Sequence, residues 1–421
     1  MDKHPWDHHS DQPYPLRDRA YKKQMKRRHR KDLVKLFIAS LCVFPIAVVH
    51  FFFNRKAEIK HLDKSFFGLC VNLDKGEEQF RLLDELGCET VQFRVFLSDF
   101  EQRKEEYLAF VKRCQGRHLL ITLVQDPAAI DDVQRLRVTL EQVFSAFEGL
   151  CGEYQVGNTI NRTKWGFFSV RQYLDFYEVA QALKADKYPG LTLVGPSVID
   201  FEYHYLIRAM FTRTQVRFDK VSSLLYVDRR GAPENTQLGI FDTLNKIRLL
   251  HSICRLSPKS SERILLTEVN WPLSGTAPWA PTSETECVSE DDYARFLLRY
   301  HLLIIASGKV ETVYWHQLIA PGYGLIDNRD GIRYRTAFKA YQVMLSRLSG
   351  AEKLSYTQDN GWHTLRFVQQ RCEGRVVWSE SAQLPVRKLI KPAEKAFDMF
   401  GQPADGDLQV GVNPVYLVQS V

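Results

Sequence analysis

The feature that most limits this chain is a regular beat between residues 62 and 348, where short apolar runs alternate with helical patterns eight times. The runs are 66–73 (FFGLCVNL), 90–99 (TVQFRVFLSD), 118–126 (HLLITLVQD), 154–158 (YQVGN), 191–199 (LTLVGPSVI), 220–228 (KVSSLLYVD), 263–272 (RILLTEVNWP) and 310–317 (VETVYWHQ). Each is followed by apolar residues at helical spacing. Strands buried on both faces read as near-continuous apolar runs, and eight strand–helix units predict a (β/α)₈ TIM barrel over residues 62–350. An open doubly wound sheet is the competitor. It is disfavoured because NLDKG at 72–76, not a glycine-rich phosphate loop, follows the first run.

After Gly350 the pattern changes. Short β-type runs at 362–368, 373–379, 384–389, 396–400 and 415–418 are separated by Gly, Pro, Asn and Asp, with no helix between them. This predicts a small antiparallel β-domain, a sandwich over 351–421, packed on the barrel.

The start of the chain has a different composition. The net charge of +7 is concentrated there, with nine lysines and arginines between positions 17 and 31 against one acid, Asp18. The remainder is close to neutral, which argues against a nucleic-acid partner. Residues 36–53 (LFIASLCVFPIAVVHFFF) then form an apolar run just long enough to span a bilayer. Basic residues far outnumber the Arg55-Lys56 pair on its other flank, and no small-x-small cleavage site follows. The expectation is an uncleaved anchor in the plasma (inner) membrane, with residues 1–35 cytoplasmic and the barrel periplasmic or extracellular. The basic arm also suits anionic lipid head groups. Seven cysteines outside this run are irregularly spaced, with no C-x-x-C, so neither a zinc site nor a disulfide pairing is assigned.

Active sites of such barrels lie at the C-terminal strand ends. Those ends carry Arg94 and Asp99, Asp126, Asn158-Thr159, Asp200 and Glu202, Tyr226 and Asp228, Glu268 with Trp271, and Trp315-His316-Gln317. Carboxylates and amides mixed with aromatics suit a carbohydrate, whose rings present both hydroxyls and apolar faces. Glu268 has the setting of a sugar-cleaving nucleophile, with Trp271 as a stacking face. His204, His251 and His301 lack zinc-ligand spacing, and no G-x-S-x-G elbow exists. No metal or other cofactor is expected.

The order of these motifs resembles that of clan A retaining glycoside hydrolases of the family 39 kind, with their bacterial exopolysaccharide-hydrolase relatives. The likeness covers residues 62–421, including the final β-domain with its NPVYLV. It implies that Glu268 is the nucleophile, that Arg94 in VQFRVFLSD supports it, that Tyr226 contacts it, and that Trp315 lies under the sugar. Asn158 and Asp126 join the implied substrate-binding set. The family's Asn-Glu pair after the fourth strand, however, is Asn158-Thr159 here. A threonine hydroxyl cannot protonate a leaving group near neutral pH, and general acid/base help is worth ~10²–10⁴-fold in rate.

Three readings follow. Another carboxylate (Asp126, Asp200 or Glu202) serves as the acid; or the substrate carries a good leaving group, such as a phosphate or lipid pyrophosphate; or the barrel only binds glycan. The expected role is action on a cell-surface polysaccharide or oligosaccharide, or its lipid-linked precursor, by hydrolysis or transfer through Glu268. The alternative is an inactive glycan-binding or scaffold protein that meets envelope polysaccharide-assembly proteins.

Overall fold

The computed structural model describes residues 4–53, 59–370 and 372–420. The eight expected runs form a closed parallel barrel: β1 (Phe67–Val71), β2 (Thr90–Phe96), β3 (His118–Val124), β4 (Glu153–Val156), β5 (Thr192–Ile199), β6 (Lys220–Leu224), β7 (Ile264–Val269) and β8 (Val310–Trp315). Pairing of Val313 with Phe67 and Tyr314 with Gly68 closes the ring. A side chain at Gly68 would meet the Tyr314 ring at 2.6 Å, so glycine permits the close approach there. Cys70, Leu120, Val194, Leu265 and Tyr314 form a separate buried apolar cluster, with one residue from each of five barrel strands.

Two helices precede the barrel, α1 (Arg19–Arg28) and α2 (Arg30–Phe53). The outer ring is α3 (Glu78–Leu86), α4 (Phe100–Arg113), α5 (Val133–Ala146), α6 (Val170–Asp186), α7 (Tyr203–Met210), α8 (Thr243–Leu256), α9 (Glu290–Ser307) and α10 (Thr336–Leu348). Asp132, Ser169, Asp242 and Ser289 each accept an N–H of the first turn of α5, α6, α8 and α9. Such caps contribute about 1 kcal/mol each and fix where the loops at the barrel mouth end.

The C-terminal β-domain is one six-stranded antiparallel sheet with a two-stranded ladder, Leu384–Pro385 with Gln409–Val410, beside it. Its strand Glu352–Asp359 lies ahead of the first expected run. That strand pairs with Ile59–His61, so the sheet borrows chain from before the barrel. Trp378 anchors the sheet by donating its indole N–H to Glu234 at 2.8 Å. All eight cysteines are unpaired; five of them are buried in the barrel and its helices, where they pack as small apolar groups.

The α2 helix has the length and composition of a membrane span. Here it lies on the barrel flank, packed along α7 and α8, with Ala47 and Phe51 buried. Its opposite face is bare and apolar, with Phe37 67% and Phe53 85% exposed. The buried carboxylate of Asp32, near its start, receives Arg208 of α7 at 2.5 and 3.0 Å and the Arg171 N–H at 3.0 Å. Residues 4–16 run back over the barrel mouth. The Asp11–Arg94 contact sets this arm against the barrel, whereas the expected topology sets the two on opposite sides of a membrane. The flanking Arg55-Lys56 pair lies outside the described residues.

Candidate active site

Glu268 closes β7 with its side chain 14% exposed, at the C-terminal end of the barrel. Its two oxygens are both engaged. Arg94 of β2 donates through Nη2 to Oε2 at 2.7 Å, and Tyr226, just after β6, donates its hydroxyl to Oε1 at 2.7 Å. Burial works to raise the Glu268 pKa. Against it act the adjacent His316, the Arg94 charge and the hydrogen bonds from Tyr226 and Arg94, leaving the carboxyl below the ordinary range. Burial keeps His316 itself neutral, its pKa pushed down to about 3, so Arg94 is the lasting positive partner. Burial and the neighbouring Glu268 push the Tyr226 hydroxyl well up, which keeps it a donor.

The three residues expected to form the nucleophile setting, Glu268, Arg94 and Tyr226, are thus brought together. Each comes from the end of a different strand, which rigidly fixes their separation. An aligned, ionised carboxylate held by one cation and one phenol can attack an electrophilic carbon while its own orientation stays fixed.

Asn158 and Thr159 follow β4 and are buried, 2% and 1% exposed. The Asn158 N–H donates to Gln125 Oε1, while its Nδ2 and the Thr159 hydroxyl have no hydrogen-bond partner among the described residues. The Thr267 hydroxyl and Asn270 Oδ1, at the end of β7, are likewise unpaired. Buried polar atoms without partners cost about 1–3 kcal/mol each.

The expected substitute acids are all occupied. Asp126 lines the cleft, but its carboxylate accepts from Arg135 at 2.7 Å and from the Ala128 N–H at 2.9 Å. Asp200 and Glu202 clamp Arg162 at 2.5 and 2.8 Å.

The two expected sugar platforms are corrected. Trp271 is buried; its indole N–H is shared by the Arg230 and Gly231 carbonyls at 2.9 and 3.0 Å, and its ring stacks on Trp315 at 5.8 Å. Trp315 is also fully buried and donates to the Tyr293 hydroxyl at 2.7 Å. Both serve the core behind the mouth. Beyond Trp315 the chain turns His316 and Gln317 towards the site, with His316 stacked on Tyr323 at 5.5 Å.

The aromatic wall of the cleft is instead Trp165, in the turn after β4, with the Arg94 guanidinium 5.8 Å from its ring centre. A lone tryptophan in a mouth loop was the available sequence signal for it. The open cavity has a volume of about 1060 Å³ and is shared by Trp165, Arg94, Gln317, Tyr323 and residues of the N-terminal strap.

That strap, residues 4–16, had no expected role at the site. Its Asp11 carboxylate accepts from Arg94 Nη1 and Gln317 Nε2, both at 3.0 Å, and the Asp11 carbonyl accepts from Arg94 at 3.2 Å. Trp6 meets Phe96 and Trp165 edge-on at 5.1 and 5.7 Å, and Tyr323 donates to the Ser10 carbonyl at 3.4 Å. Burial raises the Asp11 pKa, with Arg94 and Gln317 opposing it.

No protein-family model matches the chain, and no curated protein is significantly similar to it. Solved structures share its fold. A family 39 glycoside hydrolase from the gut symbiont Bacteroides cellulosilyticus WH2 is similar at 15% identity and a TM-score of 0.64, over 85% of this chain and 81% of that one. A glucosidase from Croceicoccus marinus is similar at 13% identity and a TM-score of 0.60, over 87% and 98%. A family 30 endoxylanase from Clostridium papyrosolvens C71 is similar at 10% identity and a TM-score of 0.58, over 87% and 98%. The fold is therefore that of family 39 and family 30 glycoside hydrolases.

Proposed function

We propose that the chain acts on glycosides through Glu268, as a glycoside hydrolase-like protein of the cell envelope. The single observation that carries this reading is the ionised Glu268, gripped by Arg94 and Tyr226 at the C-terminal end of the seventh strand. The chemistry is nucleophilic: a Glu268 oxygen bonds to the anomeric carbon, the leaving group departs with the electron pair of the broken C–O bond, and water or a sugar hydroxyl later displaces the carboxylate and loses its proton to solvent. With Thr159 in place of an acid, and Asp126, Asp200 and Glu202 tied to arginines, substrates that need no protonation of the leaving group are favoured. A glycosyl phosphate or lipid-linked pyrophosphate meets that condition. The long apolar α2 supports a role close to a membrane, where such precursors and nascent surface polysaccharides are found.

The second reading, a glycan-binding or scaffold protein without turnover, is favoured by the same Thr159 and by the strap across the cleft. One experiment separates the two. The full-length protein is incubated with 2,4-dinitrophenyl 2-deoxy-2-fluoroglycosides, whose leaving group departs unaided, and digested for mass spectrometry. An enzyme acquires one fluoroglycosyl group on the peptide containing Glu268, and the Glu268→Gln variant acquires none. Saccharide binding without any label on Glu268 establishes the binding reading instead.

A further inference from the structure

Residues 6–12 of the strap offer the cleft the same groups that an acidic saccharide would offer. Asp11 supplies a carboxylate oxygen to Arg94 and Gln317. The next residue, Gln12, supplies its amide oxygen to the ammonium of Lys164. Trp6 packs its ring edge-on against Trp165 and Phe96. The groups these strap residues engage are a guanidinium edge, an amide N–H, an ammonium and the Trp165 indole.

Two of those three donors are cations. Arg94 is itself buried, and its other edge is already committed to Glu268. A neutral sugar would leave the remaining edge with hydroxyl partners only, whereas a carboxylate gives a charge-assisted pair in a site shielded from water. The other acids that line the cavity each have their own cation: Asp74 has Lys75 at 2.9 Å, Asp99 has Arg103 at 3.5 Å, Asp126 has Arg135 at 2.7 Å and Asp131 has Arg28 at 3.0 Å. Resting on the reading of Glu268 as a glycoside-directed nucleophile, the geometry points to a ligand of the uronic acid class. Its carboxylate takes the place of Asp11 on Arg94 and Gln317, and the strap is its internal competitor.

The test uses the full chain and matched sugar pairs: the methyl glycosides of glucuronic, galacturonic and mannuronic acid, each against its neutral hexose. Binding is measured by calorimetry for the wild type, for Asp11→Asn, and for Trp6→Ala with Asp11→Ala, after thermal melts confirm that each is folded. The expected result is at least one uronide bound about tenfold more tightly than its neutral partner by the opened chain, and about tenfold more tightly than by the wild type. Equal affinity within every pair overturns the uronate assignment while leaving the glycoside reading intact. Equal affinity of wild type and opened variants overturns the strap as competitor. Absence of any saccharide binding to the opened variants, with no fluoroglycoside label on Glu268, overturns the glycoside reading as well.

Discussion

Asp11 sits 3.0 Å from the same Arg94 guanidinium that grips Glu268 at 2.7 Å, so one buried cation joins the end of the seventh strand to a residue near the start of the chain. Removing it strands two carboxylates. Arg94→Met should therefore destabilise the fold by about 3–5 kcal/mol, the range for breaking a buried ion pair from one side. Urea unfolding of the variant checks this. A loss below about 1 kcal/mol would mean that water reaches both acids freely and that the cleft is not closed as described.

Tyr226→Phe removes one charge-assisted hydrogen bond and little else. Such bonds contribute about 1.5–3 kcal/mol, so turnover of activated glycosides should fall about 10–100-fold. The pH dependence gives a second readout. Glu268 is depressed below its ordinary value near 4.5, so its contribution to stability is present above that pH and is lost as the pH falls through the lower, folded value. Without Tyr226 that value rises, and the acidic limb of both the stability and rate profiles should shift upward. An unmoved limb would show that Arg94 alone sets the charge of Glu268.

The barrel was legible because its signal is repeated eight times, and a parallel strand buried on both faces has few other ways to read. The grouping of Arg94, Tyr226 and Glu268 was legible for a related reason: each lies at or next to a strand end, so locating the strands located them. The tryptophans were less legible. Trp271 and Trp315 also lie at strand ends, but whether such a ring faces cleft or core depends on the turn beyond it. The Arg230 and Gly231 carbonyls draw the Trp271 indole inward. Asp11 gave no local signal at all. Its contact with Arg94 spans 83 residues, across an apolar helix that argues on its own for separation by a membrane.

Thr159→Glu tests the missing acid directly. The position is 1% exposed and its hydroxyl has no partner, so a longer side chain must point into the mouth or disturb packing. Overpacking costs roughly 1–3 kcal/mol. Hydrolysis of alkyl glycosides, which need a proton donor, should rise by about 10²-fold or more, while that of dinitrophenyl glycosides should change little. The two substrate classes measured side by side give the answer. An equal change in both would show that position 159 does not face the leaving group.

Glu234 makes docking of the C-terminal sheet sensitive to pH. Burial lifts its pKa to about 7 despite Arg299 at 3.4 Å, and it accepts the Trp378 indole N–H. The folded chain thus holds this proton more tightly than the unfolded chain. Stability from this group is fully present below about 4.5 and is lost as the pH rises through about 7, by up to roughly 3 kcal/mol. Thermal melts between pH 5 and 8 should show that decline, and Glu234→Gln should flatten it. A decline of equal slope in the variant would assign it to other groups.

The docked α2 and a membrane-spanning α2 exclude each other, because the face that packs along α7 and α8 cannot also lie among lipid tails. Asp32 fastens the docked form, its buried carboxylate held by Arg208. Arg208→Met leaves that carboxylate buried without its cation, at a cost of about 3 kcal/mol or more, which weights the undocked form about a hundredfold. The bare apolar face of the released helix would then favour insertion. The carbonate-resistant, vesicle-bound share of the variant should therefore exceed that of the wild type. The strap precedes α2, so its insertion with the basic arm left behind should draw residues 4–16 out of the barrel and open the cleft. Increased fluoroglycoside labelling of Glu268 in the membrane-bound variant is the expected companion result. Identical partitioning of variant and wild type would show that docking does not compete with insertion, and that Asp32 and Arg208 only fasten a permanently docked helix.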